Sequence, residues 1–179
     1  MALETLNVVV APDPTLRQVC EPCEPGDPSL RDLAEKMTNT MYANSGCGIA
    51  APQVGVLKRI IVIDCDQDSG EQNPIVLVNP EILETKGRIR TEKEGCLSCP
   101  GISVPISRRE YAKVKYFDLD GEEWIIEGGD LLGRCLQHEI DHLNGKTLFE
   151  SCSLGDRIIA LSDYKYATAA GAKPGDVSA

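Results

Sequence analysis

Histidine is almost absent from this chain. Two occur in 179 residues, His138 and His142, and both fall inside one stretch, QHEIDHLNG, at 137–145. Any chemistry that needs an imidazole must be done there. Long apolar runs are absent too: none approaches the ~20 residues that cross a bilayer, so no membrane helix is expected. Basic charge is scarce, 18 Lys and Arg against 28 Asp and Glu. A net charge of −10 disfavours nucleic acid or anionic lipid, which call for a basic face. The opening MALETLNVVV lacks the basic segment of a secretory leader and carries Glu4 early. These features point to a cytoplasmic protein. Its eight cysteines are then mostly reduced, and metal binding or burial explains them better than disulfides.

What is present fits one domain with room for a real core. Residues 1–170 are expected to form it, and 171–179, GAKPGDVSA, to be a flexible tail. Five prolines between 12 and 28 leave no room for a long helix. Leu30, Leu33, Ala34, Met37 and Met41 then fall at helical spacing, which predicts a helix over about 29–43, started by Pro28 and Ser29. RIIVID (59–64) and IVLVN (75–79) read as strands, and ILETKGRIRTEKEG as one or two bent strands around Gly87. YAKVKYFDLDGEEWIIEG reads as a hairpin turning at Asp120-Gly121. Periodicity predicts further helices over about 130–143, stopped by Asn144-Gly145, and about 155–169. Helices and strands do not alternate. The expected fold class is α+β: mostly antiparallel sheet around a central helix carrying both histidines, with an N-terminal and a C-terminal helix.

On a helix, residues four apart share a face, so His138 and His142 can grip one ion. Glu139 lies about 100° around from His138, beside the ion without being forced to bind it, as suits a base acting on bound water. H-E-x-x-H also arises by chance, as two exposed or core histidines. Here the face continues upstream as Cys135 and Leu131, which a solvated face would not carry, and we read a buried stripe leading into an ion. The third ligand is missing. Leu148 stands where one familiar pattern has a third histidine, and no Glu lies beyond Glu150. Cys, Asp or Glu from upstream must serve. EGCLSCPG (94–101) offers Cys96, whose thiolate with the two imidazoles leaves one position open. The competing reading joins Cys96 and Cys99 to Cys20 and Cys23 in a closed structural site, which leaves the histidine helix unexplained. GCGIAAPQVG (46–55) follows a helix and meets Pro52, so it reads as a glycine-rich ledge for a ligand, with the Gln53 amide at hand, and not as a dinucleotide loop.

GCGIAAPQ, EGCLS and QHEIDH, in this order, resemble the three signature motifs of peptide deformylases, over a span from about Val8 to Phe149. Ile49 stands where that family often has Leu. The resemblance implies removal of the formyl group from the N-terminal formyl-methionine of new chains. It implies one divalent ion on Cys96, His138 and His142, natively Fe²⁺, with Zn²⁺, Ni²⁺ or Co²⁺ as substitutes. Glu139 becomes the proton carrier. The Gln53 amide and the Leu97 backbone N–H become oxyanion donors. Gly48 and Ile49 should pair with the substrate backbone, Leu131 and Cys135 should line the methionine pocket, and Gly46, Glu94 and Gly95 belong to the substrate cleft. Asp141 is read as structural, Cys47 and Cys99 as small buried fillers. Some members dock on the ribosome through a basic C-terminal helix. Residues 155–179 here sum to zero charge, against that route. Two other readings compete: a different metalloamidase or peptidase, and a non-catalytic zinc module that binds a partner.

Overall fold

A computed structural model describes residues 3–177. Its frame is a single antiparallel sheet in sequence order, β1 (Gly48–Ala50), β2 (Ile60–Ile63), β3 (Ile75–Glu94), β4 (Val104–Phe117) and β5 (Glu123–Gly128). Among the described residues four α-helices accompany it: α1 (Ser29–Ala43), α2 (Asp130–Leu143), α3 (Leu148–Ser151) and α4 (Leu154–Ala169). The expected α+β class holds.

β2 explains how the layers form. Successive side chains of a strand point to opposite faces, and all four residues of β2 are buried. Ile61 and Ile63 face the α2 side with Leu136 and Ile140. Ile60 and Val62 face the α1 side with Leu30, Met37 and Met41. The two helices therefore cover opposite faces of the same short strand. A third cluster, Ile102, Val104 and Ile106 with Leu148, Phe149, Ala160 and Tyr164, packs α3 and α4 onto the start of β4. Each such fully buried aliphatic side chain contributes ~1.5–3 kcal/mol relative to exposure.

Several elements differ from expectation. Of the segment 82–95, where one or two bent strands were expected, residues 82–94 belong to one 20-residue strand, β3. Its bends are register shifts against β4 around Val78/Glu81, Ile82/Glu84 and Lys86/Ile89. This arm is exposed from Glu81 to Lys93, so it carries no one-sided apolar pattern for a sequence to reveal. α1 starts where predicted, but its first N–H groups are met by Asp27, whose Oδ1 accepts from Ser29 N–H at 2.8 Å. β1 and the single turn α3 were not foreseen. Residues 171–177, expected to be a flexible tail, make a hydrogen bond with the β3–β4 connection, from Gly101 N–H to Asp176 O (2.9 Å). The rest of that expectation, 178 and 179, lies outside the described residues.

The β3–β4 arm matters for the site because its connection is the segment 95–103. α2 lies close against β4. Gly133 makes that possible: a Cβ there would stand 2.8 Å from Glu110 O and 2.7 Å from Gly128 O.

Candidate metal centre

α2 presents His138 and His142 towards the β3–β4 connection, as its four-residue spacing requires. Their Nε2 atoms are 3.2 Å apart, and Cys96 Sγ lies 3.3 Å from His142 Nε2. Among the described residues these three form the one cluster of potential ligand atoms, all within 4.8 Å of one another. A tetrahedral ion with ordinary Zn–N and Zn–S lengths spaces its donors ~3.3–3.6 Å apart. The donor set and its spacing therefore fit a single divalent ion. The four-cysteine alternative is not assembled: Cys20 and Cys23 are buried in the α2-side and α1-side cores, apart from the cluster that Cys96 and Cys99 adjoin.

The surroundings of each ligand suit the same role. His138 Nδ1 lies 2.8 Å from Glu94 Oε1, which fixes the ring and leaves Nε2 free for an ion. Burial opposes charge on His138, yet Cys96 and Glu94 beside it raise its pKa well above the ordinary value. A cation at Nε2 takes the place that this proton would fill. Despite burial, the neighbouring Cys99 thiol and the imidazoles hold the Cys96 thiol well below its ordinary range, while Cys99 is pushed well above it. Cys99 is fully buried, as a filler would be, and its N–H also bonds Cys96 O at 2.9 Å.

Glu94, expected in the substrate cleft, is among the residues that line it. Its carboxylate borders the cleft but is fully engaged. Oε2 accepts from Arg108 Nε (2.6 Å) and Arg134 Nη1 (2.7 Å), and Oε1 from Arg108 Nη2 (3.0 Å) and His138. Burial would raise its pKa, but the His138 and Arg108 bonds hold it down at about 2. Arg108 also bonds Asp141 Oδ2 at 2.9 Å, and Ser151 Oγ donates to the same oxygen at 3.0 Å. Asp141 thus anchors the back of α2, in line with its structural reading.

Gln53 stands opposite. Its Oε1 accepts from Ala50 N–H (2.9 Å), and its Nε2 points at Cys96 Sγ (3.4 Å) and Ser98 Oγ (3.2 Å). Leu97 and Gly95 line the same cleft. Glu139 is buried, and its Oε2 has no hydrogen-bond partner. Burial raises its pKa. An orphaned, buried carboxylate oxygen beside a ligand cluster is costly unless something binds there. Gly48 shows how tightly this edge is drawn in: a Cβ would stand 2.4 Å from Glu139 Oε1 and 2.9 Å from Cys135 Sγ. Its neighbour Ile49 is wholly buried against α1, so only its backbone can meet a ligand. β1 is the edge strand of the sheet, a position that can accept another strand.

The cleft has a volume of about 270 Å³ and also takes in Gly46, Leu131 and Cys135. It is small even for a small-molecule site. Cys135 is buried, as the stripe predicted, but Leu131 is 51% exposed. Along the stripe Cys135 and His142 are buried and His138 is half-buried, while Leu131 sits on the rim.

A cysteine sulfur and two imidazoles around one point, a carboxylate with one unpartnered oxygen beside them and a cleft leading in are the arrangement of a single-metal hydrolase. The polypeptide deformylase family model matches residues 5–157. The peptide deformylase of Hydrogenovibrio crunogenus is 43% identical over 163 residues, covering 91% of this chain and 95% of that protein. That of Bartonella quintana is 40% identical over 158 residues, 88% of this chain and 90% of that one. Among solved structures, a peptide deformylase from Legionella pneumophila superposes with a TM-score of 0.85 at 40% identity, covering 93% of this chain and 96% of its own. One from Synechococcus elongatus in complex with actinonin gives 0.86 at 36% identity, covering 94% and 90%. The chain belongs to the peptide deformylase family.

Proposed function

We propose that this enzyme hydrolyses the formyl group from the N-terminal formyl-methionine of newly made polypeptides, releasing formate. The observation that carries the reading is the meeting of Cys96 Sγ, His138 Nε2 and His142 Nε2 next to the unpartnered Glu139 Oε2. The three residues hold one divalent ion, Fe²⁺ in the native enzyme and Zn²⁺, Ni²⁺ or Co²⁺ as substitutes. Such an ion polarises a carbonyl and lowers the pKa of water to ~7.

The chain's own groups supply the rest. Glu139 Oε2 takes the proton of the attacking water and later delivers it to the leaving amine. Burial raises the pKa of this carboxyl, which makes it a better proton acceptor than an exposed one. The Gln53 amide, held by its bond from Ala50 N–H, and the Leu97 backbone N–H stabilise the charge developing on the formyl oxygen. Gly46, Gly48 and the backbone of Ile49 take the substrate chain as an added strand at the β1 edge. Cys135 and Leu131 flank the methionine side chain, for which a soft thiol is a good neighbour. Gly95 lets the chain pass close, while Glu94 acts on His138 from behind.

Residues 1–170 act as one catalytic unit, placed in the cytoplasm. The partners are formyl-methionyl nascent chains, met near the ribosome without a basic C-terminal helix, and no helix among the described residues is long and apolar enough to cross a membrane. Actinonin, present in the Synechococcus elongatus structure, should bind in this cleft. The deciding assay is formate release from formyl-Met-Ala with acetyl-Met-Ala left intact. Cleavage of both would favour a general metalloamidase. No turnover by metal-loaded protein would favour the binding module.

A further inference from the structure

The residues beyond α4 are used neither by the family match, which ends at 157, nor by the chemistry above. They turn back on themselves: Ala172 N–H donates to Ala167 O (3.0 Å), Asp176 N–H to Lys173 O (2.9 Å) and Lys173 N–H to Asp176 Oδ2 (2.7 Å). The turn places Gly175, Asp176 and Val177 in the lining of the cleft that holds His138 and Glu139.

The segment touches both banks. On one, Gly175 (φ +94°) rests on the carbonyl of Asn44, the residue that caps α1 and leads into Gly46–Gly48. A Cβ there would stand 2.6 Å from that oxygen. On the other, Gly101 N–H donates to Asp176 O at 2.9 Å, and Val177 Cγ1 lies 3.5 Å from where a Cβ on Gly95 would be. Gly95 and Gly101 bracket Cys96 and Leu97. An extended peptide leaving the β1 edge, at 3.2–3.4 Å per residue, would have to pass between these two banks.

The hold is light. Among the described residues, the Gly101–Asp176 bond is the one hydrogen bond that ties 173–177 to anything but itself, and Val177 is 68% exposed. We infer that residues 175–177 form a displaceable strap across the cleft, which sets how much peptide beyond the formyl-methionine the enzyme accepts. This rests on the deformylase reading. The strap is a specificity element: longer substrates must lift it, and the reacting atoms do not touch it.

Two full-length variants loosen it. Gly175→Val drives the turn off Asn44, and Asp176→Ala removes the acceptor of Lys173 N–H. If the strap is closed in roughly 70–90% of molecules, opening it lowers the apparent KM for a formylated tetrapeptide about three- to tenfold, because affinity scales with the competent fraction. Turnover number should stay within about twofold, as for a change in binding alone. The effect on formyl-Met-Ala should be smaller. A second readout needs no turnover. In zinc-loaded wild-type protein, saturating Met-Ala-Ser-Lys should speed hydrogen exchange at the Gly101 amide, since lifting the strap frees that N–H. Unchanged or raised KM in both variants, or slowed or unchanged Gly101 exchange, overturns the proposal. Absence of formate from formyl-Met-Ala sinks the deformylase reading instead, and the exchange experiment still decides the strap.

Discussion

Glu94→Ala tests how the site is held in place. The carboxylate takes four donors from three side chains, Arg108, Arg134 and His138, and is 6% exposed against 7% for Arg108. At that burial solvent screens little. Removing one partner of a buried ion pair costs ~3–5 kcal/mol, because the charge left behind stays desolvated. Here the lower end applies. Arg108 keeps Asp141 at 2.9 Å, and Arg134 keeps Glu92 at 3.3 Å and the carbonyl of Ile106 at 3.0 Å. A loss of ~3 kcal/mol in a chain of this size lowers Tm by roughly 6–12 °C, at 2–4 °C per kcal/mol. A second effect is separate. His138 loses the group that fixes its ring, and such losses weaken metal binding ~10- to 100-fold. Calorimetry of metal-free protein reads the first effect, and competition with a chromogenic chelator reads the second. A Tm within 2 °C of wild type would refute the ion-pair account, and unchanged zinc affinity would refute the positioning role.

Glu139→Gln should keep full metal stoichiometry while turnover falls ~10²- to 10⁴-fold, the usual worth of a general acid–base; near-normal formate release would remove Glu139 from the chemistry. Gly48→Ala should retain metal but lose most activity, since its Cβ has no room beside Glu139 Oε1 and Cys135 Sγ, and unchanged kinetics would contradict the packing of that edge. Asp64 is buried, which raises its pKa, but the Tyr42 hydroxyl and the N–H groups of Asn73 and Asp66 outweigh this and lower it. The charged form is thus favoured by folding, and the stability it contributes is present above the unfolded value of ~3.9 and lost as pH falls through the depressed folded one. Denaturant titrations should show wild type more stable than Asp64→Asn at pH 7, with the gap shrinking below about pH 4; a gap independent of pH would count against the assignment.

What the sequence could reveal was what local pattern encodes. α2 was legible because its period, its cap and its paired histidines all lie within one segment. Cys96 was reachable only because the histidines run out, and because EGCLS resembles a known motif. The ion network of Glu94 was not legible for a physical reason: its partners lie 14, 40 and 44 residues away, and no local pattern announces a tertiary ion network. β3 hid its length because an arm exposed on both sides has no alternation. β1 is three residues long, too short to stand out from a glycine-rich turn. The strap is quieter still, since backbone groups and a glycine contact hold it, and neither leaves a side-chain signature.

The most direct test of the account is X-ray absorption at the metal edge of zinc-loaded enzyme. One sulfur near ~2.3 Å and two imidazole nitrogens near ~2.0–2.1 Å, completed by light oxygen, are the predicted shell. A shell without sulfur, or one closed by a fourth protein side chain, would contradict it.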